Sequence, residues 1–179
     1  MITLSQRLKR KNQNEDTSTP NRAPIRDRLL VKEAQEMSQL LPVSCSIHYT
    51  NENDLSKFTL IVQPTEGYWE GGTFRFDINV TEEYNMVPPI VKCSTKLWHP
   101  NISENGEVCL SLLRRHSVDG MGWSPIRRLN DVVWGLHALF TDLLNFEDPL
   151  NVEAADQFRH SKEDFKLKVM EYVANYARE

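Results

Sequence analysis

Residues 97–124 read LWHPNISENGEVCLSLLRRHSVDGMGWS, and they follow neither a helical nor a strand period. A stretch of this length without a period inside a compact domain is usually either functional or disordered. Its Trp, Leu and Val residues argue against disorder, because disordered segments are poor in large apolar side chains. We therefore predict that this irregular segment carries the function.

The residues before the irregular segment predict one helix and four strands. Pro24 is suited to a helix start and Pro42 to its end, and the apolar residues between them share one helical stripe: Ile25, Leu29, Leu30, Met37, Leu40 and Leu41. Period-two alternation then marks three strands, through Cys45, Ile47 and Tyr49, through Phe58, Leu60 and Val62, and through Phe74, Phe76, Ile78 and Val80. A fourth strand, from Ile90 to Cys93, follows Pro88 and Pro89.

Helical periods return after the irregular segment. Asn130 is predicted to cap a helix whose apolar residues run from Val132 to Leu143, and Asn151 a short helix that reaches Phe158. Ser161 opens the last helix. The predicted fold class is α+β, with an N-terminal helix, a four-stranded antiparallel meander, the irregular segment and C-terminal helices.

Composition excludes several classes of protein. Hydrophobic residues make up 40% of the 179-residue chain, which is enough for a core, and no stretch approaches the ~20 apolar residues of a membrane span. The three cysteines form no CxxC pair, which disfavours a disulfide scaffold or a cysteine zinc site. We predict no metal and no cofactor, structural roles for Cys45 and Cys93, and a cytoplasmic and nuclear protein with reduced thiols.

Charge is distributed unevenly along the chain. Residues 1–32 hold eight Lys/Arg against three Asp/Glu, so their net charge is +5 whereas the whole chain carries −4. This basic segment contains no aromatic side chain that could stack on nucleic-acid bases. Docking on an acidic protein surface is therefore at least as good an interpretation as nucleic-acid binding. We predict a flexible basic docking arm over residues 1–24 and a core over residues 25–179, with no nucleic-acid or membrane partner.

Four motifs stand in register across the core. His99-Pro100-Asn101 precedes Cys109 by eight residues, counted from Asn101, and the motifs WSP at 123–125 and DPL at 148–150 follow. In combination these motifs resemble the catalytic core of the ubiquitin-conjugating enzymes. The long loop between Cys109 and Trp123, the MITL start and the LWHPNI and VVWGL segments are most similar to the second metazoan branch of the family, which conjugates Nedd8. One departure is Arg128, where many relatives have a small hydroxyl residue.

The resemblance implies a transferase that carries its modifier as a thioester on Cys109, since a thiol can both attack and leave. Asn101 would donate its side-chain amide to the oxyanion, although such an Asn can also order a loop through the backbone. Asp148 would orient the lysine amine and accept its proton. The resemblance assigns His99 and Pro100 structural roles near the site.

The resemblance also implies three docking surfaces. The heterodimeric activating enzyme would bind the first helix through Arg26, Arg28 and Lys32. A RING-box ligase subunit, working with a cullin, would bind a surface formed by Tyr84, Pro88, Pro89, Ser124 and Pro125. A co-ligase would bind Met1, Ile2 and Leu4, because the bulky Ile2 should preserve the initiator Met, and acetylation would remove the terminal charge.

The sequence therefore predicts a Nedd8-conjugating enzyme that passes the modifier to cullin lysines. Three alternative functions compete with this one: the same chemistry with ubiquitin, a non-catalytic relative that only binds modifiers, and a cysteine hydrolase. The long loop and the MITL start disfavour the first, and Cys109 disfavours the second. The third lacks a His–Asp pair with a supporting motif.

Overall fold

The computed structural model describes residues 24–51, 53–117, 120–141 and 144–178, so Met1, Ile2, Leu4 and Leu143 lie outside it. Its elements are α1 (Ile25–Leu40), β1 (Cys45–Tyr49), β2 (Lys57–Val62), β3 (Phe74–Asn79), β4 (Ile90–Cys93), a 3₁₀ turn (Ser111–Leu113), α2 (Leu129–Ala138), α3 (Val152–His160) and α4 (Lys162–Tyr176). This order confirms the predicted α+β fold. No helix in the described ranges is both long and apolar enough to cross a membrane.

The four strands form one antiparallel sheet in the order β1-β2-β3-β4. The register places Leu60 opposite Phe76, and Phe76 opposite Cys93, so apolar side chains of neighbouring strands share one face. Phe74 on this face stacks on Phe140, just beyond α2, with ring centroids 4.6 Å apart. Since the side chains of Leu60, Phe74, Phe76 and Phe140 are at most 2% exposed, the sheet and the α2 region enclose the core.

Helix α1 departs from its predicted stripe. Leu30 and Met37 are buried as expected, but Ile25 is 72% and Leu40 is 54% exposed. Periodicity assigns one face to a whole helix, whereas burial also requires a neighbouring element opposite each residue. Glu33 is buried instead, and its Oε2 accepts hydrogen bonds from the Tyr84 hydroxyl and from the backbone N–H of Leu129, both at 2.7 Å.

The start of α2 also differs from the prediction. The helix begins at Leu129, so Asn130 lies inside it and is not its cap. Asp131 in the first turn accepts the backbone N–H of Arg128 at 2.8 Å, which satisfies a donor that the helix start would leave without a partner. The Arg128 guanidinium lies 2.6 Å from Glu36 Oε2 and thereby connects the start of α2 to α1.

The two remaining caps are confirmed. The Asn151 side chain accepts the backbone N–H of Ala154 at 3.0 Å and caps α3. The Ser161 hydroxyl accepts the N–H of Asp164 at 3.3 Å and caps α4. Each cap satisfies a backbone donor of the first turn, which is why these two helix starts could be read from the sequence.

Candidate active site

His99 is fully buried at the start of the irregular segment. Its Nε2 lies 2.8 Å from the carbonyl oxygen of Leu139, and its Nδ1 accepts the backbone N–H of Asn101 at 2.9 Å. A carbonyl only accepts, so the ring proton must be on Nε2. Burial lowers the pKa of His99 to about 4, and its ring stacks on Trp69 at 4.6 Å. Both ring nitrogens are engaged and the ring is neutral, an arrangement suited to holding the segment in place and not to base catalysis.

The Asn101 side chain is also fully buried, and both of its hydrogen bonds are with the backbone of one residue, Asn145. Its Nδ2 donates to the Asn145 carbonyl at 2.6 Å, and its Oδ1 accepts the Asn145 N–H at 2.9 Å. The backbone oxygen of Asn101 accepts the N–H of Cys109 at 2.8 Å. Asn101 thus orders the loop, as the alternative interpretation of this residue expected. An amide nitrogen has two N–H donors, and the bond to Asn145 uses one of them.

Pro100 fastens the same segment to the residues before α3. Its carbonyl oxygen accepts the N–H groups of Leu150 and Asn151 at 2.9 and 3.0 Å. Pro100 and Asn101 therefore hold residues 145–151 against the segment that carries Cys109. This arrangement brings Asp148, which is distant in sequence, to the site.

Cys109 is half-buried, and a cation lies beside its sulfur. The Arg114 Nη2 is 3.4 Å from Cys109 Sγ and 3.6 Å from Asp148 Oδ2. The side chains of Arg114 and Asp148 are 42% and 81% exposed, so incoming groups can approach from solvent. Sequence reasoning missed Arg114, which follows the 3₁₀ turn at 111–113. The pair of arginines just after Cys109 was the available signal.

The other two cysteines are poor nucleophiles. Burial raises the pKa of Cys93 to about 12 and that of Cys45 to about 11, so both stay protonated at neutral pH. A thiol must ionise to attack, which leaves Cys109 as the accessible candidate. In the part of the chain that the structure describes, no three His, Cys, Asp or Glu side chains cluster as metal ligands would.

The long loop after Cys109 closes on itself. The backbone oxygen of Arg114 accepts the N–H of Trp123 at 2.9 Å, so the two ends of the loop meet. Arg127 donates from Nε to the Gly122 carbonyl at 2.8 Å. A Cβ at Gly122 would lie 2.9 Å from the Arg114 oxygen, so only glycine fits there without a shift. The two ends of the loop are thus fixed beside each other at Arg114 and Trp123.

The residues expected to bind the activating enzyme lie on or beside an open face of α1. Arg28 and Lys32 are exposed, whereas the Arg26 side chain is only 20% exposed and pairs with Asp27 at 2.8 Å. A groove of about 670 Å³ runs beside them, lined by α1 and by residues 53–57 and 79–82. The helix also exposes apolar residues that the sequence reasoning had not assigned to this surface, Ile25 and Val31.

The predicted RING surface requires a correction. Tyr84, Pro88 and Pro89 are buried, so their side chains do not present a surface. The cause is packing: the hydroxyl of Tyr84 points inward to Glu33, and its ring lies 5.8 Å from Trp123. Ser124 is half-buried and Pro125 is exposed. The apolar residues that do face solvent in this region are Met86, Met121 and Ile126, which are 71%, 56% and 87% exposed.

Known proteins resemble this chain over nearly its whole length. The sequence profile of the ubiquitin-conjugating enzyme family matches residues 29–173, which include the entire site. The NEDD8-conjugating enzyme UBE2F of Danio rerio is 54% identical, and that of Rattus norvegicus is 55% identical, each over 99% of this chain and 100% of the relative. The NEDD8-conjugating enzyme ubc-12 of Caenorhabditis elegans is 42% identical over 98% of this chain and 99% of the relative.

The site and the matches agree on the chemistry. The profile covers the segment that holds Cys109, and the same segment contains the buried His99 and Asn101. The chain is therefore a transferase and belongs to the ubiquitin-conjugating enzyme family.

Proposed function

We propose that this enzyme accepts Nedd8 as a thioester on Cys109 from a heterodimeric activating enzyme and transfers it to a cullin lysine with a RING-box ligase subunit. The observation that carries the proposal is the half-buried Cys109 thiol, which lies 3.4 Å from Arg114 on a segment fixed by His99 and Asn101. The identity of the modifier as Nedd8 is inferred from the names of the relatives.

Loading is a thiol exchange. The Cys109 thiolate attacks the carbonyl carbon of the modifier's thioester on the activating enzyme, a C–S bond to Cys109 forms, and the old C–S bond breaks to release the other thiolate. One thioester replaces another, so this step needs no ATP at this site. The fixed segment contributes by holding the nucleophile in a single orientation.

Transfer to lysine needs a neutral amine. Asp148 is 81% exposed at the mouth of the site, where its carboxylate can orient the amine and take its proton. The second N–H of Asn101 is proposed to donate to the oxyanion. His99 takes no part in proton transfer, because both of its ring nitrogens already have partners.

The residues exposed on α1 and around Pro125 indicate two docking surfaces. We assign activating-enzyme binding to Arg28, Lys32, Ile25 and Val31 on α1 and to the groove beside this helix. We assign RING binding to the apolar patch of Met86, Pro125 and Ile126. Hydrophobic anchors with charged neighbours are typical of such interfaces. The enzyme is proposed to work in the cytoplasm and nucleus, where cysteines stay reduced.

The N-terminal residues Met1, Ile2 and Leu4 are proposed to bind a co-ligase after acetylation. Burying a charged terminal amine in an apolar pocket is costly, so acetylation should tighten binding. Titration of the co-ligase with the synthetic peptide MITLSQRLKR, acetylated and free, tests this. Equal affinities would leave only a non-specific electrostatic arm.

The central experiment offers the protein Nedd8 and ubiquitin, each with its own activating enzyme and ATP, and resolves the products on gels with and without reductant. We expect a Nedd8 adduct that reductant removes. Cys109→Ser should give an adduct that resists reductant, because an oxyester replaces the thioester, and Cys109→Ala should give none. Cys45→Ala is the matched control and should load normally. Preferential loading of ubiquitin would favour the alternative modifier, and loading of Cys109→Ala would refute the assigned nucleophile.

A further inference from the structure

We infer that Arg114 is a catalytic residue that donates a hydrogen bond to the oxyanion formed on the thioester carbonyl, an inference that rests on the function proposed above. Its Nη2 contacts the reacting sulfur itself, at 3.4 Å from Cys109 Sγ. A guanidinium is always protonated and has only donors to offer. The contact therefore places a permanent positive charge beside the atom at which both chemical steps occur.

The geometry of a thioester extends this contact to the carbonyl oxygen. In the loaded enzyme the carbonyl carbon is bonded directly to Sγ, so its oxygen is only two bonds from the atom that Arg114 already contacts. The planar guanidinium carries five N–H donors in a fixed fork. A group that approaches Sγ with one donor can therefore reach the neighbouring oxygen with another.

The position of Asn101 strengthens the case for a second donor. That side chain is fully buried and binds the Asn145 backbone at both its oxygen and its nitrogen. Asn101 can offer at most one remaining N–H from the protein interior. Arg114 is partly exposed and approaches from the solvent side, so the two residues would contact the oxyanion from different directions.

Arg114 assists the attack of lysine on the thioester. The neutral lysine nitrogen attacks the carbonyl carbon, a C–N bond forms, and the π electron pair moves onto the oxygen, where Arg114 donates to it. The C=O bond then reforms, the C–S bond breaks, and its electron pair leaves with Sγ as a thiolate beside the same guanidinium. The carboxylate of Asp148 takes the ammonium proton before attack, and the second proton, which the nitrogen loses after the C–N bond forms, goes to solvent water.

A second role for Arg114 must be separated from this one. The same Nη2 lies 3.6 Å from Asp148 Oδ2, so Arg114 could act only by holding that carboxylate in place. The two roles differ in their dependence on the attacking group. Oxyanion donation assists every nucleophile, whereas proton acceptance by Asp148 matters for lysine and not for hydroxylamine, which is mostly uncharged at neutral pH.

The test measures single-turnover discharge of purified Nedd8 thioester to lysine and to hydroxylamine. Arg114→Gln should slow both reactions about tenfold or more. The effect should be smaller than the ~10²–10³-fold loss of rate seen when an oxyanion donor is removed from a water-excluded site, because Arg114 is partly exposed. Arg114→Lys keeps the charge without the fork and should recover part of the rate. Asp148→Asn should slow only the reaction with lysine.

Arg115→Gln is the matched control, because this neighbouring arginine is directed at Glu83, 3.9 Å away, and should discharge at the wild-type rate. Equal thermal midpoints would show that the variants are folded. Wild-type-like or faster discharge by Arg114→Gln, or a defect confined to lysine, would overturn the inference. A wild-type enzyme that forms no thioester would instead refute the proposed function. If Arg114→Gln loads slowly, that supports the inference, since loading passes through the same kind of oxyanion.

Discussion

Acidification should destabilise this protein through His99 in particular. The unfolded chain binds a proton near the ordinary pKa of 6.5, whereas the folded ring stays neutral until the pH falls to about 4. The stability that neutral His99 contributes is therefore present above pH 6.5 and is lost as the pH falls toward 4. At ~1.4 kcal/mol per pKa unit, the full loss is about 3 kcal/mol, of which about 2 kcal/mol falls between pH 7 and pH 5.

The assay is urea unfolding of wild type and of His99→Gln at pH 7 and pH 5 with reduced thiols. A glutamine can donate and accept as the ring does but does not titrate, so its stability deficit relative to wild type should shrink by about 2 kcal/mol at the lower pH. His48→Gln, on the exposed side of β1, is the matched control and should keep the wild-type pH dependence. An unchanged deficit for His99→Gln would refute the reasoning. Should that variant not fold, an NMR titration of the wild-type ring gives the same answer, and a pKa near 6.5 would contradict it.

Four further predictions concern the buried carboxylate of Glu33, the site residues Asp148 and Asn101, and the N-terminal arm. Glu33→Ala should lower the free energy of unfolding by about 2–5 kcal/mol, because it leaves a buried phenol O–H and a backbone N–H without an acceptor. Glu36→Ala, which breaks exposed pairs, should lower it by less than ~1 kcal/mol; equal losses would contradict the role of the buried carboxylate. Asp148→Ala should slow discharge to lysine at neutral pH and approach wild type at high pH, so a defect independent of pH would remove its proton-accepting role. Asn101→Ala should load nearly normally yet discharge ~10²-fold more slowly in single-turnover assays, and normal discharge would leave it with loop ordering alone. Deletion of residues 1–24 should preserve the thermal midpoint and weaken cullin modification in the full system; full modification would show that the arm is dispensable.

Strands and caps were predictable because their signals are local. Alternation along β2 and β3 follows from side-chain direction in a strand, and the caps at Asn151 and Ser161 satisfy donors within the next three residues. The start of α2 was misassigned because Arg128 and Asn130 lie on either side of its first residue, Leu129. The group that satisfies the helix start is the carboxylate of Asp131, which lies inside the helix. Helix boundaries depend on such details.

The site was predictable in its motifs and not in its contacts. The spacing from Asn101 to Cys109 identified the nucleophile candidate. The arginine pair at 114–115 was visible, but the sequence did not show that Arg114 returns to the sulfur after the 3₁₀ turn. The burial of Tyr84 could not be read either, because its partner Glu33 is a charged residue that a helical pattern assigns to solvent. The two donors that satisfy this buried carboxylate come from residues distant in sequence, so the periodicity of the helix does not reveal them.

The meeting of the loop ends at Arg114 and Trp123 has a consequence for how this enzyme could diversify. A segment whose ends are joined by a backbone hydrogen bond can gain or lose residues without changing the path of the chain on either side. Doubling the length of such a loop raises the entropic cost of closing it by only ~0.6 kcal/mol. Insertions between these two residues are thus nearly neutral for folding, and each new length changes the surface that the loop presents while Arg114 and Trp123 stay joined. The loop is a position at which selection can alter partner preference while the chemistry stays constant.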